Sequence, residues 1–420
     1  MSARTWAGRL PGTRAGVMAG LALVAIVSQF FRSSVAVIAP DLIHDLSLSP
    51  QMLGLAGGMF FFALGVAQVP VGMGFDRIGP RLTLAWVSVF AVAGSMLVAM
   101  AASGPQLIAG RFLVGLGSGA SFISGVVLLT RWYPPERIAT QYGRVFALSQ
   151  IGNFLAATPL AWMTEAFGWR AVFWGAAGVL LAVVIFFVWA VRDQPPDQAP
   201  LARRGESLWQ TLRGFAQVFG QPNYKKVVAI HTVAYAAMAT VLGLWAGPYL
   251  HDVHGLDGVG RGNVLLAMVA AQTVGMLWIP PLERRLNTRK GVILAGAAVV
   301  VCILAALSAL PAPPLWLAVS LLVLLCGASA YSPIIIAHAA SLTPVHLRGR
   351  GSAAANLGQV TGSFLLPVVS GLIAGLFEQT AMGYPPVAYR LIFAFLALAL
   401  GTGMLVYSRA QDLKPSAGTA

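Results

Sequence analysis

Apolar residues run through this chain in blocks of about 20, and each block ends in a short stretch holding charge, proline or glycine. Twelve blocks lie near residues 15–40, 51–73, 82–102, 105–130, 144–166, 171–191, 227–250, 262–282, 291–310, 315–341, 351–377 and 387–408. A helix of about 20 residues crosses a roughly 30 Å hydrocarbon layer, where only helices and closed barrels satisfy their own backbone. Barrel strands are shorter and alternate polar with apolar positions, which these blocks do not. The pattern predicts an all-α polytopic membrane protein of twelve transmembrane helices, with the lipid bilayer as its surroundings and no sizeable soluble domain.

Charge placement sharpens this. The formal net charge of +14 raises the question of nucleic acid. With the N-terminus inside, however, the Lys and Arg residues fall in the tails and the inner loops, except Arg170, Arg261 and Arg390 in outer loops and Arg32 and Arg111 within helices. That is the positive-inside bias of an inserted protein, and no nucleic-acid partner is expected. Both termini are expected in the cytoplasm. Ala- and Arg-rich, Lys-poor usage points to a bacterial inner membrane. Met1 to Arg14 is basic, like the start of a signal peptide, but the apolar run after it is too long and ends at Pro40-Asp41, so it reads as an uncleaved first helix. Cys302 and Cys326 read as packing thiols, with no disulfide framework.

Arg192 to Lys226 is the longest polar stretch and opens with Pro195 and Pro196. It divides the chain into an N-terminal six-helix bundle (1–191), a cytoplasmic linker (192–226) and a C-terminal six-helix bundle (227–420). Within the linker, Leu208, Leu212, Phe215 and Phe219 recur beside Arg213 at the spacing of a short amphipathic helix on the membrane face. The halves also repeat. Gly143-Arg144 followed by Gln150 and Asn153 returns as Gly349-Arg350 followed by Asn356 and Gln359, 206 residues later, while Asp76-Arg77 returns as Glu283-Arg284 after 207. Two unrelated motifs at nearly one offset indicate a duplicated unit and two pseudo-symmetric bundles.

Gly72 to Arg81 reads GMGFDRIGPR and falls between the second and third spans. It resembles the loop signature of the major facilitator superfamily, a family of secondary transporters. Arg111-Phe-Leu-Val-Gly115-Leu-Gly117 and Gly168-Trp169-Arg170 resemble further motifs of that family. The resemblance covers the whole chain. It implies two six-helix bundles around a midplane site, lined by the first, fourth, seventh and tenth helices, with Gly72, Asp76, Arg77, Gly79 and Arg81, echoed by Glu283 and Arg284, as a gating motif. The second copy departs from the pattern, since Pro280 and Pro281 replace glycines. The Gly-Pro signature of drug-proton antiporters is missing, because Thr158 precedes Pro159.

An arginine in a membrane helix costs about 2.5–3.5 kcal/mol on insertion scales, so it faces a wet cavity, a partner or the headgroups. Arg32 shares a helix face with Ser28 and Gln29, and Arg111 one with Ser118 and Phe122. With no carboxylate at comparable depth, Arg32 and Arg111 suggest an anionic or zwitterionic small-molecule solute. Snorkelling is the rival reading for Arg32; for Arg111 it is that the family keeps an arginine there whatever the solute. The amides Gln29, Gln150, Asn153, Asn356 and Gln359 and Tyr235 complete the expected solute site; the amide pairs serve equally as interhelical glue. His231 begins a stripe with Tyr235, Met238, Leu242 and Trp245, and His338 is placed at similar depth; either histidine can carry a coupling proton or sit neutral in a hydrogen bond.

No Gly-Lys-Ser/Thr phosphate loop surrounds any lysine, so ATP does not drive this chain directly. Nor is there a nucleophile elbow, a histidine–carboxylate pair within a helix or paired metal-ligand spacing. No enzyme activity, cofactor or metal is expected. The leading expectation is a monomeric secondary transporter of a small organic anion or amino-acid-like solute, run as a proton symporter; an exporter and a non-transporting sensor are the alternatives.

Overall fold

The computed structural model describes residues 11–195, 213, 216–344, 347–378 and 383–415. Most of the predicted linker helix, including Leu208, Leu212 and Phe215, lies outside them.

Eleven helical stretches are long and apolar enough to cross a membrane. One of them, Glu136–Ala190, has 55 residues. At 1.5 Å per residue it would reach about 80 Å, far beyond one bilayer crossing. Gly168 divides it with φ 78 and ψ 150, a conformation open to glycine and strained for other residues. The two sides of that break are the fifth and sixth predicted spans, which makes twelve.

The helices are α1 (Arg14–Leu46), α2 (Pro50–Arg77), α3 (Pro80–Ala99), α4 (Gly104–Ser118), α5 (Ser121–Trp132), α6 (Pro135–Leu155) and α7 (Thr158–Ala190). They continue with α8 (Tyr224–Thr240), α9 (Ala246–Asp252), α10 (Gly258–Trp278), α11 (Leu282–Arg285), α12 (Arg289–Ala309), α13 (Leu315–Ala328), α14 (Ser332–Ser341), α15 (Arg348–Ala374) and α16 (Pro386–Ser408). The fourth and tenth spans are each interrupted, at Gly119–Ala120 and at Ser329–Tyr331. Their half-helices therefore end and begin within the span, exposing backbone groups there.

Two compact units emerge. Unit 1 is Met1–Ser34 with Phe62–Glu206. In it α3 packs on α4 and α7, and α5 on α6. Unit 2 is Val35–Phe61 with Ser207–Ala420, where α8 packs on α15 and α16, α12 on α16, and α10 on α13. The pairing of α12 with α16 repeats that of α3 with α7, as a duplicated unit requires.

Residues 35–61 join unit 2 through close backbone approach. A Cβ on Gly247 would strike the carbonyl of Ala36, and one on Gly54 the carbonyl of Pro367. Asp41 and Arg261 add an ion pair at 3.5 Å.

A π-helical turn, Val241–Trp245, joins α8 to α9. Such a turn inserts a residue into the α repeat, so positions beyond Thr240 are rotated relative to those before it. The predicted stripe therefore runs straight only from His231 to Met238. Trp245 is instead fully buried, and its indole N–H donates to Ser370 Oγ at 2.7 Å.

Candidate functional site

Arg32 lies midway along α1, with its guanidinium carbon 5.8 Å from the ring centre of Phe122. Phe122 is in the first turn of α5, the half-helix that starts after the break at Gly119–Ala120. Tyr142 of α6 is within electrostatic reach of the same guanidinium, and the Arg32 Nε is buried. The arginine is thus held within unit 1, against α5 and α6. A cation stacked on an aromatic face beside the positive end of a half-helix makes a centre suited to negative charge.

Amides extend this centre. Ser33 Oγ donates to Asn153 Oδ1 at 2.7 Å, and Asn153 Nδ2 donates to Gln150 Oε1 at 2.5 Å. Asn153 and Gln150 are more than nine-tenths buried. This chain orients the amides one way, with acceptors already used toward Ser33. The Oε1 of Gln29, one turn before Arg32 and 5% exposed, is buried with no hydrogen-bond partner among the described residues.

Arg111 is placed differently. It is 1% exposed, and Nη1 donates to the Phe31 carbonyl at 2.6 Å. It ties α4 to the backbone one residue before Arg32, so its geometry is that of a positioning group.

Unit 2 repeats the arrangement without the cation. Counting 206 residues on, Gln29 meets Tyr235, Arg32 meets Met238, Gln150 meets Asn356 and Asn153 meets Gln359. Met238 is 2% exposed, and its sulfur accepts from Gln272 Nε2 at 3.6 Å. Tyr235, Asn356 and Gln359 are half-buried. His231 is fully buried beside Gln359, and neither ring nitrogen makes a hydrogen bond of standard geometry. The helix pairs approach at matching points of α1 and α8, with the second glycine one turn beyond the counterpart of the first. A Cβ at Gly152 would strike the Ile26 carbonyl in unit 1, and a Cβ at Gly362 the carbonyl of Thr232, the repeat counterpart of Ile26.

His338 is not in that centre. It sits in the last turn of α14, with Nδ1 2.7 Å from Tyr407 Oη and Nε2 3.1 Å from the Gln411 carbonyl.

In the loop signature, Asp76 and Arg77 are exposed and Gly72 has open space beside it. Gly79 has φ 93, and a Cβ there would collide with the Asp193 carboxylate, so glycine is required twice over. Asp193 Oδ1 accepts from the Arg81 N–H at 2.8 Å, while Arg81 Nε donates to the Val188 carbonyl at 2.9 Å. In the second copy Glu283 pairs with Arg289 at 3.1 Å, and Arg284 is exposed.

Sequence reasoning missed Tyr142, Ser33 and Asp193, and it put Phe122 on the face of Arg111 where the structure sets it against Arg32. Ser33 adjoins Arg32 and was within reach of a face argument. The rest come from distant spans, and nothing local marks them.

The profile described as Major Facilitator Superfamily matches residues 21–367. The chain is 25% identical over 218 residues to the "Probable galactarate/D-glucarate transporter GudP" of Escherichia coli (strain K12), covering 50% of this chain and 48% of that protein. It spans about half the length of that relative. It is 24% identical over 418 residues to the "Probable sulfoacetate transporter SauU" of Cupriavidus necator, covering 94% and 93%. A bacterial homolog of the human lysosomal transporter Spinster, solved in an inward-facing conformation, shares the fold with a TM-score of 0.75 at 17% identity, covering 93% of this chain and 95% of its own. The twelve spans, the loop signature with its buttressed Gly79 and the profile match agree: the chain belongs to the Major Facilitator Superfamily, as a multi-pass membrane transporter and not an enzyme.

Proposed function

We propose that this protein moves a small organic anion across the membrane by alternating access, with Arg32 binding a carboxylate or comparable acidic group. The observation that carries this reading is the Arg32 guanidinium held inside unit 1 over Phe122, at the start of half-helix α5. A bidentate, charge-assisted contact suits a planar carboxylate, and the oriented Ser33–Asn153–Gln150 chain leaves polar groups beside it. The relatives support the charge sign, since galactarate, glucarate and sulfoacetate, the solutes in their names, all carry acidic groups. In unit 2, Tyr235, Asn356 and Gln359 are the neutral counterparts of this centre, and in unit 1 Arg111 holds the α1 backbone.

Transport is coupled to protons through His231. That imidazole is fully buried beside Gln359 and can gain a charge that balances the cargo. The protein works as a monomer in a bacterial inner membrane, with both termini in the cytoplasm.

The test is uptake into proteoliposomes of a panel of sugar acids, sulfoacetate, amino acids and neutral sugars, with and without an imposed pH gradient. Uptake of an anion that Arg32→Ala abolishes, in protein that still inserts and elutes as one species, supports the assignment. Normal anion uptake by Arg32→Ala rejects it, and loss of the solute from preloaded cells only when the protein is present shows an exporter.

A further inference from the structure

One end of each unit carries the same clasp. In unit 1, Asp193 stands three residues beyond α7 and accepts from the Arg81 N–H at the first turn of α3, 2.8 Å away. The indole N–H of Trp132, at the end of α5, donates to the carbonyl of Arg192, next to that aspartate, at 2.9 Å. In unit 2, Asp412 stands four residues beyond α16 and accepts from the N–H groups of Arg289 and Lys290 at 3.2 and 3.1 Å, and from Thr288 Oγ1 at 2.5 Å, at the start of α12. The imidazole of His338 bonds to the carbonyl of Gln411, again next to the aspartate, at 3.1 Å. Trp132 and His338 are 206 residues apart, the offset of the repeat. In both copies a ring N–H fixes the carbonyl that precedes a carboxylate capping a helix N-terminus, where negative charge is favourable.

The two rings differ in one property. An indole N–H does not titrate near neutrality, whereas an imidazole does. The Gln411 carbonyl only accepts, so Nε2 of the neutral ring carries the hydrogen and Nδ1 accepts from the Tyr407 hydroxyl, 2.7 Å away. We propose that His338 makes the clasp of unit 2 proton-sensitive, its protonation loosening the hold of Asp412 on the start of α12, while the Trp132 clasp of unit 1 is indifferent to pH.

The geometry gives the reason. A proton on Nδ1 reverses the contact, so that the Tyr407 oxygen accepts and its hydroxyl hydrogen is displaced into a buried site away from solvent. The new cation also competes for Asp412 with the capped amides. The groups facing the ring are Tyr407 from α16, Asp412 from the segment beyond it, and Arg289 and Lys290 from the start of α12. On α14 itself Ser341 donates to the His338 carbonyl at 2.7 Å, and from α8 the Lys226 ammonium bonds the Arg409 carbonyl at 2.8 Å in the same tail. Asp412 remains ionised throughout. Burial alone would raise its carboxyl, but hydrogen bonds from Thr288, Lys290 and Arg289 outweigh that and hold it below the usual carboxylate range. A response above the range in which Asp412 titrates therefore belongs to the imidazole.

Hydrogen exchange on the full chain in nanodiscs tests this without any solute. Between about pH 7.5 and about pH 4.5, a window that reaches below the ordinary imidazole range, exchange at Arg289 and Lys290, corrected for the intrinsic pH dependence, should rise roughly fivefold, the protection one net hydrogen bond gives. Exchange at Arg81 should stay unchanged. His338→Gln, which keeps a donor but does not titrate, and His338→Trp, which copies unit 1, should each abolish the rise. Trp132→His should create one at Arg81. A rise that persists in both His338 variants, or that already appears at Arg81 in the parent protein, overturns the proposal.

Discussion

At positions related by the repeat, unit 1 carries Gln29, Arg32, Gln150 and Asn153, while unit 2 carries Tyr235, Met238, Asn356 and Gln359. The amides have merely exchanged places, but the cation of one half is a thioether in the other. The backbone packing stayed alike, since Ile26 and Thr232, at equivalent positions, each receive a glycine from the paired helix. A duplicated scaffold therefore leaves side-chain chemistry free to diverge. On the proposed assignment one guanidinium sets the charge of the cargo, and a second in unit 2 would add its own insertion cost of about 2.5–3.5 kcal/mol. What unit 2 holds instead is His231, the proposed proton-coupling group.

The strongest way to break the comparison is to make the halves alike. Arg32→Met, which copies the residue of unit 2, should lower anion uptake by about 10- to 100-fold, the worth of a charge-assisted hydrogen bond. Surface expression should hold, because a buried cation is removed and none is left unpaired. Uptake kinetics in proteoliposomes check this, and Arg32→Lys should recover part of the loss if charge, more than shape, is what matters.

Next come the shared packing points. Gly152→Ala and Gly362→Ala each push a methyl into a backbone carbonyl, and each should destabilise the protein by about 1–3 kcal/mol, read as a lower melting temperature in detergent. Gly143→Ala and Gly175→Ala, whose positions are open, should leave it unchanged.

His231→Gln should sharpen the division of labour. It should abolish accumulation driven by a pH gradient while leaving solute exchange at equilibrium within about twofold of the parent, since uniform binding and coupling are separable. Equal loss of both would return His231 to a packing role.

The smallest effect concerns Asp412. Its carboxyl titrates below the usual range in the folded protein, so the stability it contributes is present at neutral pH and disappears as pH falls through that lowered value. Asp412→Asn should cost about 1 kcal/mol at neutral pH, as for loss of a helix cap, and nothing once the parent carboxyl is protonated. Melting curves of both proteins across pH give the comparison directly.

Sequence alone settled the twelve spans, because a bilayer imposes one length and one periodicity on whatever crosses it. It also settled the repeat, since the offset of 206 is written in the amide pairs, and it marked Arg32, because charge in an apolar run is costly and visible. Only the tertiary structure separated Arg32 from Arg111. Both look alike in sequence, yet one stacks on Phe122 and the other donates to the Phe31 carbonyl. The same holds for His338, which the sequence placed at a depth similar to that of His231 but which the structure sets against Tyr407 and the Gln411 carbonyl. The role of Asp193 behind Gly79 was hidden for the same reason. What a buried polar group does is decided by partners dozens of residues away, on other helices, and no local pattern encodes them.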